Sequence, residues 1–475
     1  MFQDQTSFYS ALCARDPRFD GRFFVGVTST GIYCRPVCKV RIPKIENCCF
    51  YLLAAQAEHA NFRPCLRCRP ELAPGHFALT ARCDLAYAAK QMIDSGRYTS
   101  QVDLALKLGI TSRHLRRIFQ AEFGLAPIAY EQSARLLLAK RLLTDTALPM
   151  THIAQASGFS SVRRFNDLFV ARYRLTPSGL RKNVKFDSLG DQATMRVVLK
   201  YRPPFDWAWF LSFLSDRLID GVEQIDGPTY RRNIDCGWIT VSDSPSENAL
   251  IAMVSLQCSA HLRDLIPRLR KVFDCDCSPN IVNASLGAIA QANPGIRLPG
   301  AFDGFEIAVR AILGQQISVK AATTIAGRFA RRFGVPVQSP FAGLNVRFPR
   351  PSDVAQQAIE SFAQLGIIRQ RATAISTLAQ AIMAGKINLN PDDGLAQSAE
   401  QTVCVLQALP GIGPWTAQYI AMRSLAQPDI ALSTDLVVLK ALGTTSPARA
   451  KELTNAWSPW RSYGVMHLWN NMRVQ

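Results

Sequence analysis

Leu409-Pro410-Gly411-Ile412-Gly413-Pro414-Trp415-Thr416-Ala417-Gln418-Tyr419-Ile420 places two glycines between helical patterns. It reads as the end of one helix, a tight hairpin and the start of another. Gly411 and Gly413 let backbone N–H groups at the head of the second helix approach an anion, a contact that requires no base identity. A lone G-x-G is weak evidence, but here an apolar helix precedes it at 396–408. Ala431-Leu432-Ser433-Thr434-Asp435 follows and presents a carboxylate.

Upstream of the hairpin the pattern predicts helices over 305–313, 317–333, 354–365 and 369–384. Before residue 300 it changes. Met195–Lys200 alternates like a strand, Tyr201–Trp207 breaks it, and an apolar helix follows at 208–218. Segments 230–232, 238–241 and 249–256 read as strands of an antiparallel sheet. This divides residues 194–475 into an α+β subdomain (194–300) and a helical domain (301–475). Residues 183–193 have little apolar content and read as a linker, bounded at 185–193.

Residues 84–184 contain an internal repeat, Ser100–Pro127 and Thr151–Pro177. In each copy a short apolar helix ends at a glycine, Gly109 or Gly158. Thr111-Ser112 or Ser160-Ser161 then caps a second helix. Leu115, Ile118 and Phe119 face inward in the first copy, with Arg113, His114, Arg116 and Arg117 outside. Phe165, Leu168 and Phe169 face inward in the second, with Arg163, Arg164 and Asn166 outside. A long helix over 128–143 joins the copies. Two helix-turn-helix units would place two recognition helices in successive major grooves. The alternative is a helical bundle with basic surfaces.

Residues 1–78 hold Cys34, Cys38, Cys65 and Cys68, spaced C-x3-C and C-x2-C. Two close pairs separated by a loop present four soft ligands to one tetrahedral Zn²⁺. Phe23–Val27 reads as a strand, 28–31 as a turn and Phe50–His59 as a helix. Basic residues flank both pairs and offset the negative cluster. Cys13, Cys48, Cys49 and Cys83 lack partner spacing and read as incidental.

The bulk numbers agree with a multidomain protein that handles polyanions. The 475 residues suggest about three domains. Net charge is +18. Residues 1–190 contain 27 Lys and Arg against 14 Asp and Glu, and the remainder 27 against 22, so the excess lies in the first 190 residues. DNA fits this better than a membrane surface. Thirteen cysteines without a signal peptide or apolar span point to a reducing cytoplasm rather than a disulfide framework.

Four stretches carry family resemblances. Thr30-Gly31-Ile32-Tyr33-Cys34-Arg35-Pro36-x-Cys38 and Phe62-Arg63-Pro64-Cys65-x-Arg67-Cys68-x-Pro70 resemble the methyl-acceptor domain of Ada-type regulators. This implies that zinc-bound Cys34 irreversibly takes a methyl group from a DNA methylphosphotriester. The cluster would drop from about −2 to about −1, weakening its repulsion of neighbouring phosphates. The resemblance also implies DNA contacts by Thr30, Arg35, Arg41, Arg63 and Arg67. Gly158-Phe159-Ser160-Ser161 and Leu175-Thr176-Pro177 resemble the AraC-type DNA-binding domain, which implies Arg113, Arg116, Arg163 and Arg164 as DNA contacts. The hairpin with Asp435 resembles the helix-hairpin-helix DNA glycosylase superfamily, with Gly411 and Gly413 at the phosphate.

The subtype follows from what is absent. Trp415 stands where the lyases of that superfamily carry lysine, so no Schiff-base amine is present. No cysteine follows Cys404 to build an iron–sulfur cluster. Tyr201-x-Pro203-Pro204-Phe205-Asp206-Trp207, Arg297-Leu298-Pro299-Gly300 and Val309–Gln315 resemble AlkA-type 3-methyladenine DNA glycosylases. This implies an aromatic cleft of Trp415, Tyr419 and Trp469 for flipped cationic bases. It also implies Asp435 as catalytic carboxylate, with Gln316 at the wedge position where the family has an apolar residue. The expected fold is a small zinc-binding α/β domain, an all-α double helix-turn-helix domain, and a glycosylase with an antiparallel sheet and a helical bundle. The expected partners are duplex promoter and damaged DNA and RNA polymerase, with no membrane and a monomeric chain in a bacterial cytoplasm. Two competing readings are a regulator with a structural zinc site and a silent glycosylase domain, and a thiolate redox sensor.

Overall fold

The computed structural model describes residues 5–75, 85–181, 188–189, 192–390 and 399–474. After α1 (Gln5–Ala14) come β1 (Phe24–Val27), β2 (Ile32–Cys34), β3 (Cys48–Tyr51), α2 (Ala54–His59) and β4 (Arg63–Pro64). They form a sheet of order β3-β1-β2-β4. The stretch Phe50–His59, expected as one helix, therefore begins as strand at Phe50 and Tyr51 and is helical from Ala54 to His59. Phe50 and Tyr51 pair with Val25 and Phe24, and Phe50 packs against Phe8 and Phe23. Aromatic packing in the sheet overrides the weak helical pattern.

The repeat folds as α3 (Leu85–Ser95), α4 (Gln101–Lys107), α5 (Ser112–Phe123), α6 (Pro127–Asp145), α7 (Met150–Ala156), α8 (Val162–Tyr173) and α9 (Pro177–Leu180). Thr111 caps α5 by accepting from the His114 N–H, and Ser161 caps α8 by accepting from the Arg164 N–H. Gly109 and Gly158 take φ of 68° and 82°, the left-handed region their turns require. Leu115, Phe119, Phe165 and Phe169 are buried, while Ile118 and Leu168 are half-buried.

β5 (Ser188–Leu189) lies within the stretch expected as linker. It pairs with the start of β6 (Gln192–Lys200). Then follow α10 (Trp207–Ser215), β7 (Glu223–Asp226), β8 (Thr229–Ile234), β9 (Gly237–Ser244), β10 (Ala249–Ser255), α11 (Leu262–Val272) and α12 (Pro279–Leu286). The sheet order is β5-β6-β10-β9-β8-β7. The sequence missed β7, which is short and largely polar. Cys236 and Cys258 form a disulfide, a single pair that the sequence reading, which expected no disulfide framework, did not pick out. Cys83 lies outside the described residues.

The helical domain comprises α13 (Gly304–Leu313), α14 (Val319–Phe333), the small ribbon β11 (Val335–Pro336) and β12 (Val346–Arg347), α15 (Pro351–Val354), α16 (Ile359–Ala363) and α17 (Arg369–Met383). It closes with α18 (Ala399–Gln407), α19 (Pro414–Ser424), α20 (Leu436–Ala441), α21 (Pro447–Thr454) and α22 (Arg461–Val474). The helix expected at 354–365 is two short pieces. The start of that expected at 396–408 lies outside the described residues. Among the described residues no helix is long and apolar enough to cross a membrane.

The domains meet over buried polar contacts. Lys140 Nζ donates to Glu71 Oε2 at 2.6 Å, with both side chains 1% exposed. Glu58 on α2 accepts at Oε1 from the hydroxyls of Tyr33 and Tyr173, each at 3.0 Å, joining β2 to α8. Burial pushes the Glu58 carboxyl up to about 7, despite hydrogen bonds from Ser133, Tyr173 and Tyr33 and the charge of Arg172. The unfolded carboxyl titrates near 4.5, so between these values the folded chain holds a proton that the unfolded chain has lost. Stability therefore falls as pH rises through this window, by about 3 kcal/mol. Glu58→Gln is expected to remove that fall. Melting curves of both proteins between about pH 5 and about pH 8 check it, and parallel profiles would contradict it.

Candidate functional site

Strand pairing builds the thiolate quartet. β2 and β4 run parallel with Tyr33 opposite Pro64, and the Cys65 N–H donates to the Tyr33 carbonyl at 3.0 Å. This brings Cys34 and Cys65, each one residue further along, side by side. The Cys38 N–H closes its own turn onto the Arg35 carbonyl at 3.1 Å. The Sγ atoms of Cys34, Cys38, Cys65 and Cys68 all lie within 4.8 Å of one another. Four thiolates at about 2.3 Å from a tetrahedral Zn²⁺ stand about 3.8 Å apart, so the donor set fits that ion.

Of the expected DNA contacts in this domain, Thr30, Arg41 and Arg67 are exposed. Arg63 is half-buried and lies in a seam with Phe169, Tyr173, Leu175 and Leu180 of the second helix-turn-helix unit. Arg35 is placed elsewhere than expected. It is 6% exposed, with Nε donating to Asp20 Oδ1 at 2.8 Å and Nη2 pairing with Oδ2. Its Nη1 donates to the Cys68 carbonyl at 3.0 Å, and its backbone N–H to Cys68 Sγ at 3.4 Å. The guanidinium holds the cysteine loop and does not face solvent. In the repeat, Arg113, Arg116, Arg163 and Arg164 are all exposed.

A cleft of about 690 Å³ opens between the end of α13, the hairpin and the head of α20, lined by Gln316, Gly411, Gly413, Trp415, Asp435 and Leu436 among others. Asp435 caps α20, accepting from the Val438 N–H at Oδ1 at 2.9 Å. Trp469 Nε1 donates to the same oxygen at 3.1 Å, and Trp415 Nε1 to Oδ2 at 2.9 Å. The residue is thus a helix cap and also the carboxylate at the cleft floor. Two indole N–H groups from α19 and α22 fix its orientation.

Tyr419 stacks on Trp415, with centroids 5.2 Å apart and planes 7° apart. Tyr419 and Trp469 are not among the residues lining the cleft. Tyr419 is buried, whereas Trp469, like Trp415, is half-buried. Arg423, 3% exposed, donates to the Tyr419 hydroxyl at 2.8 Å and to the Pro299 and Gly300 carbonyls. Burial pushes the Tyr419 phenol up, but the guanidinium groups of Arg423, Arg217 and Arg310 outweigh it and hold the phenol below its usual range. Arg423 follows Tyr419 by four residues and Trp415 by eight, and that helical spacing was the available signal for it.

Gln316 is exposed at φ 56° in the turn after α13. Its neighbour Gln315 donates from Nε2 to the Gly411 carbonyl at 2.9 Å and to Thr416 Oγ1 at 3.0 Å, while Arg371 donates to the Gln315 carbonyl. These contacts hold Gln316 across from the hairpin. Leu436, 82% exposed, lines the same cleft and was not foreseen, because nothing in the sequence separates it from a buried helix residue.

The two hairpin glycines differ. Gly411 needs its left-handed φ of 78°, and a Cβ would meet Ala374 at 3.0 Å. Gly413 caps α19 at an ordinary φ of −80°, and a Cβ there would meet nothing within 4 Å. The fold does not demand glycine at that position. Aspartate is a good cap but repels phosphate. Gly413→Asp is expected to leave the melting temperature unchanged and to lower kcat/KM for base release at least about tenfold. Unchanged kinetics would rule out a phosphate contact there.

Family models cover most of the chain. The metal binding domain of Ada matches residues 7–71, a helix-turn-helix domain 104–183, the AlkA N-terminal domain 196–303, and the HhH-GPD superfamily base excision DNA repair protein 309–456. The chain is 35% identical to the probable bifunctional transcriptional activator/DNA repair enzyme AlkA of Mycobacterium tuberculosis (strain CDC 1551 / Oshkosh), covering 99% of this chain and 97% of that protein. It is 34% identical to DNA-3-methyladenine glycosylase 2 of Escherichia coli K12, over 57% of this chain and 95% of that protein. It is 38% identical to the bifunctional transcriptional activator/DNA repair enzyme Ada of the same organism, over 29% of this chain and 38% of that protein. The four cysteines are thus the zinc site of an Ada-type domain, and DNA is the partner of the domains that follow. Matched along its whole length, the chain belongs to the family of bifunctional transcriptional activators and DNA repair enzymes that join an Ada-type zinc domain and a helix-turn-helix domain to an AlkA-type DNA glycosylase.

Proposed function

We propose that Cys34 takes the methyl group of a DNA methylphosphotriester, that this turns the chain into a transcriptional activator, and that the helical domain hydrolyses the N-glycosidic bond of alkylated purines such as 3-methyladenine. The observation that carries the second activity is the Asp435 carboxylate at the floor of an open cleft, held by two indole N–H groups. Release of free base from an alkylated duplex tests it, with Asp435→Asn as the decisive variant.

In the zinc domain, Cys34, Cys38, Cys65 and Cys68 would hold Zn²⁺, which would keep their thiolates deprotonated near neutral pH. Cys34 Sγ bonds to the methyl carbon, the carbon–oxygen bond of the triester breaks, and its electron pair stays on the phosphate oxygen as a diester. The product is a thioether, so the quartet loses one negative charge and repels DNA less. By this reading the methylated chain works as a monomer on promoter DNA and contacts RNA polymerase.

In the glycosylase, the damaged nucleotide leaves the stack and enters the cleft. Trp415 offers its face to the cationic base, an attraction of about 0.5–2 kcal/mol. The bond from C1′ to the base nitrogen breaks with its electrons going to the base, which needs little protonation because it is already cationic. Asp435 stabilises the positive sugar or takes the proton of the incoming water. The chemistry stops at base release, a reading supported by Trp415 in the lyase position and by the absence of any lysine among the described residues lining the cleft. Gln316 fills the vacated stack at a desolvation cost. Gln316→Leu is expected to raise kcat/KM for base release about threefold or more; a decrease would show that the amide makes a specific contact.

A further inference from the structure

The two helix-turn-helix units are built alike but attached differently. The second shares one core with the sheet subdomain of the glycosylase: Ile153, Phe159, Phe165 and Phe169 cluster with Val254, Cys258, Leu262 and Ile266. The first has a core of its own, including Ala89, Ile93, Leu104, Leu115 and Phe119. α6 connects the two units along the chain, and a second link runs through the glycosylase half. Arg263, near the start of α11, donates from Nη2 to the Ile93 carbonyl at 2.7 Å. Arg97 pairs with Asp264 at 2.6 Å, and Arg268 steadies Asp264 at 3.0 Å.

The Arg263 side chain occupies the space against two left-handed glycines. A Cβ on Gly96 (φ +71°) would sit 2.5 Å from its Nε, and a Cβ on Gly158 (φ +82°) 2.6 Å from its Nη1. Gly96 follows α3 in the first unit, and Gly158 is the turn of the second. The matching turn of the first unit, Gly109 (φ +68°), has nothing within 4 Å of its Cβ position. The repeat is therefore alike in backbone at these turns and unlike in what presses on them.

We infer that Arg263 and Asp264 clamp the first helix-turn-helix unit against the second, so that the glycosylase half sets the separation and angle at which α5 and α8 meet DNA. The paired surface fits a duplex whose two recognition segments stand at one fixed spacing. The inference rests on the assignment of α5 and α8 as DNA-reading helices. A pair held in place avoids the ordering cost that a hinged pair meets at each binding event. It also rejects segments at the wrong spacing, because one unit must then let go.

The test uses the full-length chain and a duplex enriched by the wild-type protein from a random-sequence pool. A second duplex carries three extra base pairs at the centre of the footprint. The wild type is expected to lose about a hundredfold in affinity on insertion. Arg263→Ala is expected to bind the parent duplex about tenfold more weakly and to lose only about threefold on insertion, with release of 3-methyladenine unchanged. Gly158→Ala should behave like Arg263→Ala, and Gly109→Ala should not, although both carry the same left-handed strain. The clamp is overturned if Arg263→Ala keeps the parent affinity and the full spacing penalty. Should Arg263→Ala lose base release through misfolding, the glycine pair decides, and equal behaviour of Gly109→Ala and Gly158→Ala overturns the clamp. If the double variant Arg113→Ala, Arg163→Ala binds like the wild type, the DNA-reading assignment beneath the clamp fails instead.

Discussion

Asp435→Asn is expected to lower release of 3-methyladenine from an alkylated duplex by about a thousandfold or more, while duplex binding survives. The carboxylate meets three donors: the Val438 N–H, Trp469 Nε1 and Trp415 Nε1. An asparagine can turn its oxygen to Val438 and Trp469, which keeps the cap on α20. Its NH2 group then faces the Trp415 N–H, donor against donor, a local cost of about 1–3 kcal/mol. That cost is small beside the loss of a full negative charge next to the sugar. The separation of effects is therefore measurable: chromatography of free base reports the chemistry, and melting reports the fold. Base release that Asp435→Asn leaves intact would remove Asp435 from the reaction.

Cys34→Ser is expected to reduce methyl uptake from methylphosphotriester DNA from one group per chain to none. Exposure alone would have chosen another residue. Cys34, Cys38 and Cys65 are buried, whereas Cys68 is partly open. But Cys68 Sγ accepts the Arg35 N–H, which draws electron density from that sulfur and lowers its nucleophilicity. Peptide mass spectrometry after exposure to the methylated DNA should find one methylene of added mass on the Cys34 peptide alone. A methyl group on Cys38 or Cys68, or a disulfide in its place, would overturn the acceptor assignment.

What the sequence showed well was local. The cysteine spacings, the glycine hairpin and the repeated caps at Thr111 and Ser161 each act over a few residues, so their chemistry is visible in a short window. What it hid was distant. The fate of Arg35 depends on Asp20 and on the carbonyl of Cys68, which a basic residue beside a cysteine does not announce. The depth of Tyr419 depends on Arg423 reaching the Pro299 and Gly300 carbonyls of the other subdomain. Phe50 and Tyr51 read as helix until β1 is there to pair with them. The link between Asp435 and its two tryptophans spans 20 and 34 residues. The sequence supplied the three side chains and the fold supplied the contact.

Arg202 has one more consequence. It is fully buried in the glycosylase half, yet its Nε donates to the Asp20 carbonyl at 2.9 Å and its Nη2 to the Gly75 carbonyl at 2.7 Å. Asp20 in turn holds Arg35, the residue beside Cys34. A fragment cut after the helix-turn-helix units would leave those two carbonyls without their donor, in a surface shaped for another domain. A transplanted N-terminal half would carry the right cysteines on a loosened support.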